Sequence, residues 1–579
     1  MIDRKRITIK FAGESGQGVN SLGEIMSKLI KNSNLYVFAY REYPSLIKGG
    51  FASYQLNISD HPISSTTAKC QLLVCQSRSA VHEYLQTLEK NGKLIHTLTK
   101  LAFSAEEQEY IAENAIETQY VDSTKLAIES GGSKLMGNMI LLGVVTKLMG
   151  ADLAKLEEII SIQFASKPDL LEKDLICARK GFDLEASVLP AVDISQLDKN
   201  NTSAQYLVTG NEALTLGAIA AGTRIFYGYP MTPSSSILTY AAALSQKTGI
   251  VVKQAEDEIT AVQMAIGSMF MGTRAVVATS GGGFDLMTET ISLAGITETP
   301  LVCILGQRPG PATGMPTWTA ASDLNLAMYG GHGEFPRCVI AISDAYSAFS
   351  QIQNALNISE EFQIPVIVLS EKHIAEGLFN VGDFSEMTLD IKRNLTTEES
   401  VATERYADTS SGISPRWLPG VLEKTYLGNS DEHLEDGDLT EDAAAAEKMM
   451  NKRMRKLSTL KGQLPLPRVF GNLETAKRVC VGWGSTLMAM NDVLATELGS
   501  EIAYIHYDFV YPVNLELLRG FMNKPDDVFV IENNQTGQFA NLLEHELGVK
   551  FHNRILKYNG RPFFFEELVE NIKSLMSNS

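Results

Sequence analysis

The chain is poor in cysteine: Cys70, Cys75, Cys177, Cys303, Cys338 and Cys480 are the only ones in 579 residues, and none forms a C-x-x-C pair. An iron–sulfur cluster takes about four converging thiolates, so this chain is not expected to hold one. Thiols scattered through apolar runs read as buried, reduced side chains. Long apolar runs are lacking as well. A membrane span takes about 20 apolar residues, and the most apolar helical stretch, Met139 to Met149, is broken by Lys147. The charged start Met1-Ile2-Asp3-Arg4-Lys5-Arg6 leads into Ile7, Ile9 and Phe11 alternating with Thr8, Lys10 and Ala12, a strand and not a signal-peptide core. No membrane partner and a cytoplasmic location are therefore expected. A basic excess is also missing: 50 Lys and Arg stand against 68 Asp and Glu, and a net charge of -18 argues against a nucleic-acid partner.

What is present is an ordinary globular composition, 44% hydrophobic and 20% charged, in a chain too long for one core. Strand and helix patterns alternate, which predicts α/β domains built on parallel or mostly parallel sheets. The expected division is a first domain over 1–190, a polar linker over 191–204 and a second domain over 205–384. A connector arm over 385–470 and a last domain over 471–579 complete it. The connector has an acidic start, Asp431 to Asp438, and a helix whose later turns carry Lys448, Lys452, Arg453, Arg455 and Lys456. That charge order suits a helix dipole and a solvated linker, and the stretch is read as an extended arm.

The second domain carries the most informative stretch. Arg224-Ile225-Phe226-Tyr227 runs into Gly228-Tyr229-Pro230-Met231-Thr232-Pro233-Ser234-Ser235, so a buried strand stops and turns there. Ser234 to Ser236 are expected to cap the helix that follows, and Asn211 the helix before it. Ile250-Val251-Val252 leads into Glu256-Asp257-Glu258. Ala275 to Ala278 leads into Thr279-Ser280-Gly281-Gly282-Gly283, and Leu301 to Leu305 into Gly306-Gln307-Arg308-Pro309-Gly310-Pro311. Ligands of open parallel sheets bind outside the carboxyl ends of the strands, where backbone N–H groups converge. In the first domain, Gly13, Gly16 and Gly18 form a Gly-rich strand-to-helix turn that serves a phosphate or a tight turn equally well.

Together these motifs resemble the 2-oxoacid:ferredoxin oxidoreductases, over nearly the whole chain. The Tyr-Pro-Met-Thr-Pro-Ser-Ser run, Glu256-x-Glu258, Ser280-Gly-Gly-Gly and Gln307-Arg308-x-Gly310-Pro311 look like that family's thiamine-diphosphate pyrimidine-binding domain. The first domain is similar to its gamma module, with Lys48 where the family typically has arginine, and Glu14 in place of a customary glycine. Glu532-Asn533-Asn534 and Gly560-Arg561-Pro562-Phe563 resemble its transketolase C-terminal-like domain. The layout is that of an alpha subunit with the gamma domain fused at the N-terminus, as in 2-oxoglutarate:ferredoxin oxidoreductases.

The resemblance implies oxidative decarboxylation of a 2-oxoacid, with coenzyme A as cosubstrate. Thiamine diphosphate needs an acid to hydrogen-bond its pyrimidine N1′, and a carboxyl in an apolar pocket serves because desolvation disfavours its charged form. Glu258 is implied in that role, with Ala261, Val262 and Ala265 beside it. Thr232 and Arg308 are implied substrate contacts, Arg308 because a guanidinium pairs bidentately with a carboxylate. Tyr229, Pro230, Pro233, Ser280, Gly281 and Gly282 are implied around the cofactor, and Gly13, Gly16 and Gly18 around coenzyme A or a phosphate.

No G-D-G with paired asparagines follows; Gly382-Asp383-Phe384 is the nearest approach. The chain should therefore carry half a cofactor site and no metal. A beta subunit is implied to bring Mg2+, the diphosphate site and a 4Fe-4S cluster, pass electrons to ferredoxin, and assemble as (alpha-beta)2. Pyruvate, branched-chain and indolepyruvate oxidoreductases remain alternatives, as does a non-catalytic module of the same fold.

Overall fold

The computed structural model describes residues 6–43, 50–184, 187–203, 205–401 and 404–578. Lys48, singled out above, lies outside the described residues. Three sheets organise the chain, of eight, seven and five strands. In the first, Glu117–Tyr120, Leu88–His96, Cys70–Cys75 and Arg6–Glu14 run parallel, and Phe51–Ser59 and Tyr36–Glu42 continue it antiparallel.

The second sheet positions the site. Its order is Phe509–Tyr511, Cys338–Ala341, Pro365–Glu371, Leu301–Gln307, Ala275–Ser280, Ile225–Gly228 and Val251–Gln254, all parallel except Phe509–Tyr511. Leu301–Gln307 and Pro365–Glu371 are buried at every residue, as continuous apolar runs in a parallel sheet covered on both faces should be. Gly281–Ile296 and Ala345–Phe362 are among the covering helices, the latter started by Asp344, whose carboxylate accepts from the Ser347 N–H at 2.7 Å. The third sheet is parallel apart from its edge strand Arg468–Phe470.

The sheets cross the domain limits expected from sequence. Tyr206–Thr209 and Leu378–Val381, at the two ends of the second domain, add to the edge of the first sheet. Phe509–Tyr511, from the last domain, pairs with the second sheet. A strand pattern fixes that a strand exists, while its partner depends on which edge the chain reaches, and that leaves no local mark.

The connector is also unlike its expected form. Tyr406, Trp417, Arg416, His433, Lys452 and Lys456 are buried. Lys452 donates to the buried carboxylate of Glu298 at 2.5 Å, Lys456 forms an ion pair with its other oxygen at 2.6 Å, and Arg416 pairs with Glu360 at 3.3 Å. Lys452 and Lys456 of the helix Ala443–Lys461 thus turn inward onto a carboxylate carried by the second domain, while Lys448, Arg453 and Arg455 pair with Glu435, Glu432 and Asp408 of the connector itself. All six cysteines are buried free thiols. No helix among the described residues is long and apolar enough to cross a membrane.

Candidate functional site

Four strand ends meet at one edge of the second sheet. The registers Gly228 with Gln254, Gly228 with Ala278, and Ser280 with Gly306 align the loops that follow. Glu258 is the first residue of the helix Glu258–Phe270. The preceding Asp257 does the capping, accepting from the Thr260 N–H at 2.7 Å, and that bond holds its carboxyl below the usual range. Glu258 is thereby left free to turn inward. It is 4% exposed, its carboxyl lies against Gly283 with the buried Ala261, Val262 and Ala265 following at helical spacing, and its Oε1 has no hydrogen-bond partner. A Cβ added to Gly283 would stand 2.7 Å from that oxygen, so only glycine lets the helix Gly281–Ile296 begin there.

Ser280 precedes this helix, fully buried, and its Oγ also lacks a partner. A buried polar atom left unpaired costs about 1–3 kcal/mol. Two such atoms, after strands two apart on the same sheet edge, fit a ligand that supplies the missing bonds, and an aminopyrimidine ring, with donors and acceptors on its edge, matches this donor set.

The proline-rich loop packs down on the same edge. Ser234 does not cap the helix Ser235–Thr248 with its side chain; its Oγ donates to the Thr279 carbonyl at 2.6 Å. Nor does Asn211 cap its helix, which Thr209 and Glu212 start with a reciprocal capping box. Asn211 Nδ2 instead donates to the Pro233 carbonyl and to Ser236 Oγ, each at 2.8 Å, pinning the loop. Pro233 is buried against Gly306, whereas Tyr229 and Pro230 are exposed at the rim. Arg308 Nη1 donates to the Thr232 carbonyl at 2.9 Å, so the structure brings Arg308 and the Thr232 backbone together. Burial lowers the Arg308 pKa, and Asp323 opposes that shift. Gly282 faces open space, and Gly281 meets Asp323.

Sequence reading missed Asp323 and the pinning role of Asn211. An asparagine before a helix looks like a cap, Asp323 is part of no sequence motif, and only the fold shows where these side chains are used.

The Gly-rich turn follows Arg6–Glu14, an interior strand of the first sheet. Gly18 has φ 80° and Asn138 Nδ2 would stand 2.2 Å from a Cβ there, while Gly16, at φ 94°, faces open space. Gly13 is hemmed in by Gln17. The Glu14 N–H donates to Gln17 Oε1 at 2.7 Å and the Ser15 N–H to the Gly50 carbonyl at 3.1 Å, so part of the turn's donor set is spent internally. Among the described residues, no group of three or more His, Cys, Asp or Glu is placed to hold a metal ion.

Residues 216–453 match the family model described as pyruvate flavodoxin/ferredoxin oxidoreductase, thiamine diP-binding, and residues 8–184 match pyruvate ferredoxin/flavodoxin oxidoreductase. The 2-oxoacid:ferredoxin oxidoreductase subunit alpha of a Sulfolobus species is 30% identical, the alignment covering 98% of this chain and 96% of that one. The chain belongs to the 2-oxoacid:ferredoxin oxidoreductase alpha subunits. A further relative of this alpha subunit, the 2-oxoglutarate oxidoreductase subunit KorA of Mycobacterium tuberculosis, is 26% identical over 99% of this chain and 93% of its own length. Among solved structures, the 2-oxoglutarate:ferredoxin oxidoreductase from Magnetococcus marinus, with 2-oxoglutarate, coenzyme A and succinyl-CoA bound, superposes with a TM-score of 0.90 at 28% identity. That match covers 99% of this chain and all of the other, so this alpha subunit shares both its fold and its domain order.

Proposed function

We propose that this alpha subunit, with its gamma module fused at the N-terminus, forms the pyrimidine half of a thiamine-diphosphate site and oxidises 2-oxoglutarate to an acyl-CoA and CO2. The observation that carries the reading is the buried, unpartnered Oε1 of Glu258, first residue of Glu258–Phe270, beside Gly283. Thiamine diphosphate, when bound, supplies the nucleophilic carbon for the oxoacid ketone and the electron sink for the charge left by CO2.

This chain's residues prepare the site. Glu258 presents its buried Oε1 to the ring N1′ from beside Gly283. Ser280 Oγ offers a second bond, and Tyr229, Pro230, Pro233, Gly281 and Gly282 shape the walls around the ring. Arg308, steadied from one side by the Thr232 carbonyl, keeps the rest of its fork for the oxoacid carboxylate. Gly13, Gly16 and Gly18 are proposed to take a phosphate of coenzyme A.

A beta subunit completes the enzyme with Mg2+, the diphosphate site and a 4Fe-4S cluster that hands electrons to ferredoxin, in an (alpha-beta)2 assembly in the cytoplasm. The names of the Mycobacterium tuberculosis and Magnetococcus marinus relatives support 2-oxoglutarate as substrate. Arg274 is not the cation for its distal carboxylate, because that guanidinium is consumed by Glu360, at 2.6 Å, and Asn357.

Co-expression with a beta subunit tests the whole reading. The expected product is a brown complex that releases thiamine diphosphate on denaturation and reduces ferredoxin with 2-oxoglutarate. A colourless homo-oligomer, inert with any added partner, would overturn it. Within the active complex, Arg308→Lys is expected to raise the KM for the oxoacid about tenfold, the cost of losing a bidentate pair. The KM for coenzyme A should move far less; the reverse pattern would remove Arg308 as the anchor.

A further inference from the structure

The glycine run that admits Glu258 carries a second carboxyl on its other side. Asp323 precedes the helix Leu324–Tyr329, and a Cβ on Gly281 would stand 2.9 Å from its Oδ2, just as one on Gly283 would meet Glu258. The Asp323 N–H donates to Gln307 Oε1 at 2.9 Å, which ties Asp323 to the residue before Arg308. The two carboxyls differ in their neighbours. Glu258 lies against Gly283, whereas Asp323 faces Asp285 on the helix Gly281–Ile296 and Arg308 on the loop after Leu301–Gln307. The adjoining helix Gln538–Leu547 brings the uncharged Gln538, whose Oε1 accepts from the Asn325 N–H at 3.0 Å. Burial raises the Asp323 carboxyl to about 6, Asp285 adds to the rise, and Arg308 opposes it.

Arg308, for its part, is held by the Thr232 carbonyl and forms no ion pair among the described residues. Asp323 is near enough to oppose the burial shift of Arg308 yet forms no ion pair with it, so the guanidinium is left to pair with an incoming carboxylate.

We propose that Asp323 is the counter-carboxylate of the Arg308 anchor, so that a 2-oxoacid carboxylate arriving at Arg308 displaces its charge and Asp323 takes up a proton from solvent. The inference rests on the reading of Arg308 as the anchor. Two anions cannot share one guanidinium without cost, since a like charge disfavours ionisation of its neighbour. Protonated Asp323 therefore favours the bound oxoacid and ionised Asp323 opposes it. The sign follows: affinity for the oxoacid falls as pH rises through the Asp323 titration.

The test uses the complete alpha-beta complex. In the wild type, the KM for the oxoacid should rise about tenfold between about pH 5.5 and about pH 8, one pK unit of coupling. Asp323→Asn, which keeps the shape beside Gly281, should flatten that rise and lower KM at the alkaline end, the change falling on KM more than on kcat. A pH profile of KM unchanged by Asp323→Asn would overturn the proposal. Calorimetric titration of the wild-type complex with N-oxalylglycine, which has an amide in place of the reactive ketone, gives a readout that needs neither turnover nor the variant. In buffers of different ionisation heat it should show net proton uptake, and its absence would equally overturn the proposal. If Arg308→Lys leaves the oxoacid KM unchanged, the anchor itself fails; if only the Asp323→Asn profile is unmoved, the anchor stands and this inference alone falls.

Discussion

Glu258→Gln is expected to leave thiamine diphosphate bound in the alpha-beta complex and to lower turnover by about a hundredfold or more, the range that a positioned acid contributes. The expectation follows from what the side chain does not do. Glu258 Oε1 has no protein partner, and the adjacent capping is done by Asp257, so the amide disrupts no bond to Oε1 and leaves the cap intact. Glutamine occupies the same space beside Gly283, which makes loss of fold a poor explanation for lost activity. What it lacks is a carboxyl proton. The measurement is kcat of the reconstituted complex together with the thiamine diphosphate released on denaturation. Turnover near that of the wild type would exclude Glu258 as the activating acid, and loss of the cofactor would show that its part is holding the ring.

The place of the candidate site was legible in the sequence because its loops lie at strand ends, and strand ends are marked by abrupt changes of composition. Apolar runs that stop at Gly228, Ser280 and Gln307 do fall at one edge of one parallel sheet. Glu258 is the one of three successive carboxyl-bearing residues that the family resemblance implies, and it is the one that is buried. Side chains whose value comes from a distant partner were not legible. Asn211 stands before a helix and reads as a cap, yet it holds the Pro233 loop, and Asp323, part of no sequence motif, abuts Gly281. The basic turns of Ala443–Lys461 read as a solvated linker, because nothing local announces that Glu298, more than a hundred residues earlier, waits beneath them. Long-range electrostatic pairing leaves no periodic trace, whereas burial does.

That same pairing sets the second large expectation. Glu298→Ala should destabilise the chain by about 3–5 kcal/mol, as removal of one member of a buried ion cluster does. Glu298 follows the helix Gly281–Ile296 and precedes the strand Leu301–Gln307, so it anchors the connector to the turn joining the two elements that carry Ser280, Gly281 and Arg308. Burial pushes its carboxyl pKa up, but Lys456, Lys452 and Arg405 together pull it below the ordinary range. Burial lowers the Lys456 ammonium to about 7 against the pull of Glu298. A carboxylate depressed in the fold contributes stability that is present above its unfolded value of about 4.3 and is lost as pH falls toward the folded one. At neutral pH the alanine variant therefore forfeits the full contribution and strands two lysines away from water. Stranded charge, more than lost attraction, is the larger cost, and this separates the account from a simple cavity. Replacing Lys452 and Lys456 by methionine in the same Glu298→Ala chain should recover much of the loss, because a buried ion cluster exchanged whole for apolar groups is often neutral. Denaturant unfolding of the three chains decides the matter: if the added methionines recover nothing, the cost came from packing, and the connector is held by its aromatic contacts at Tyr406 and Trp417 instead.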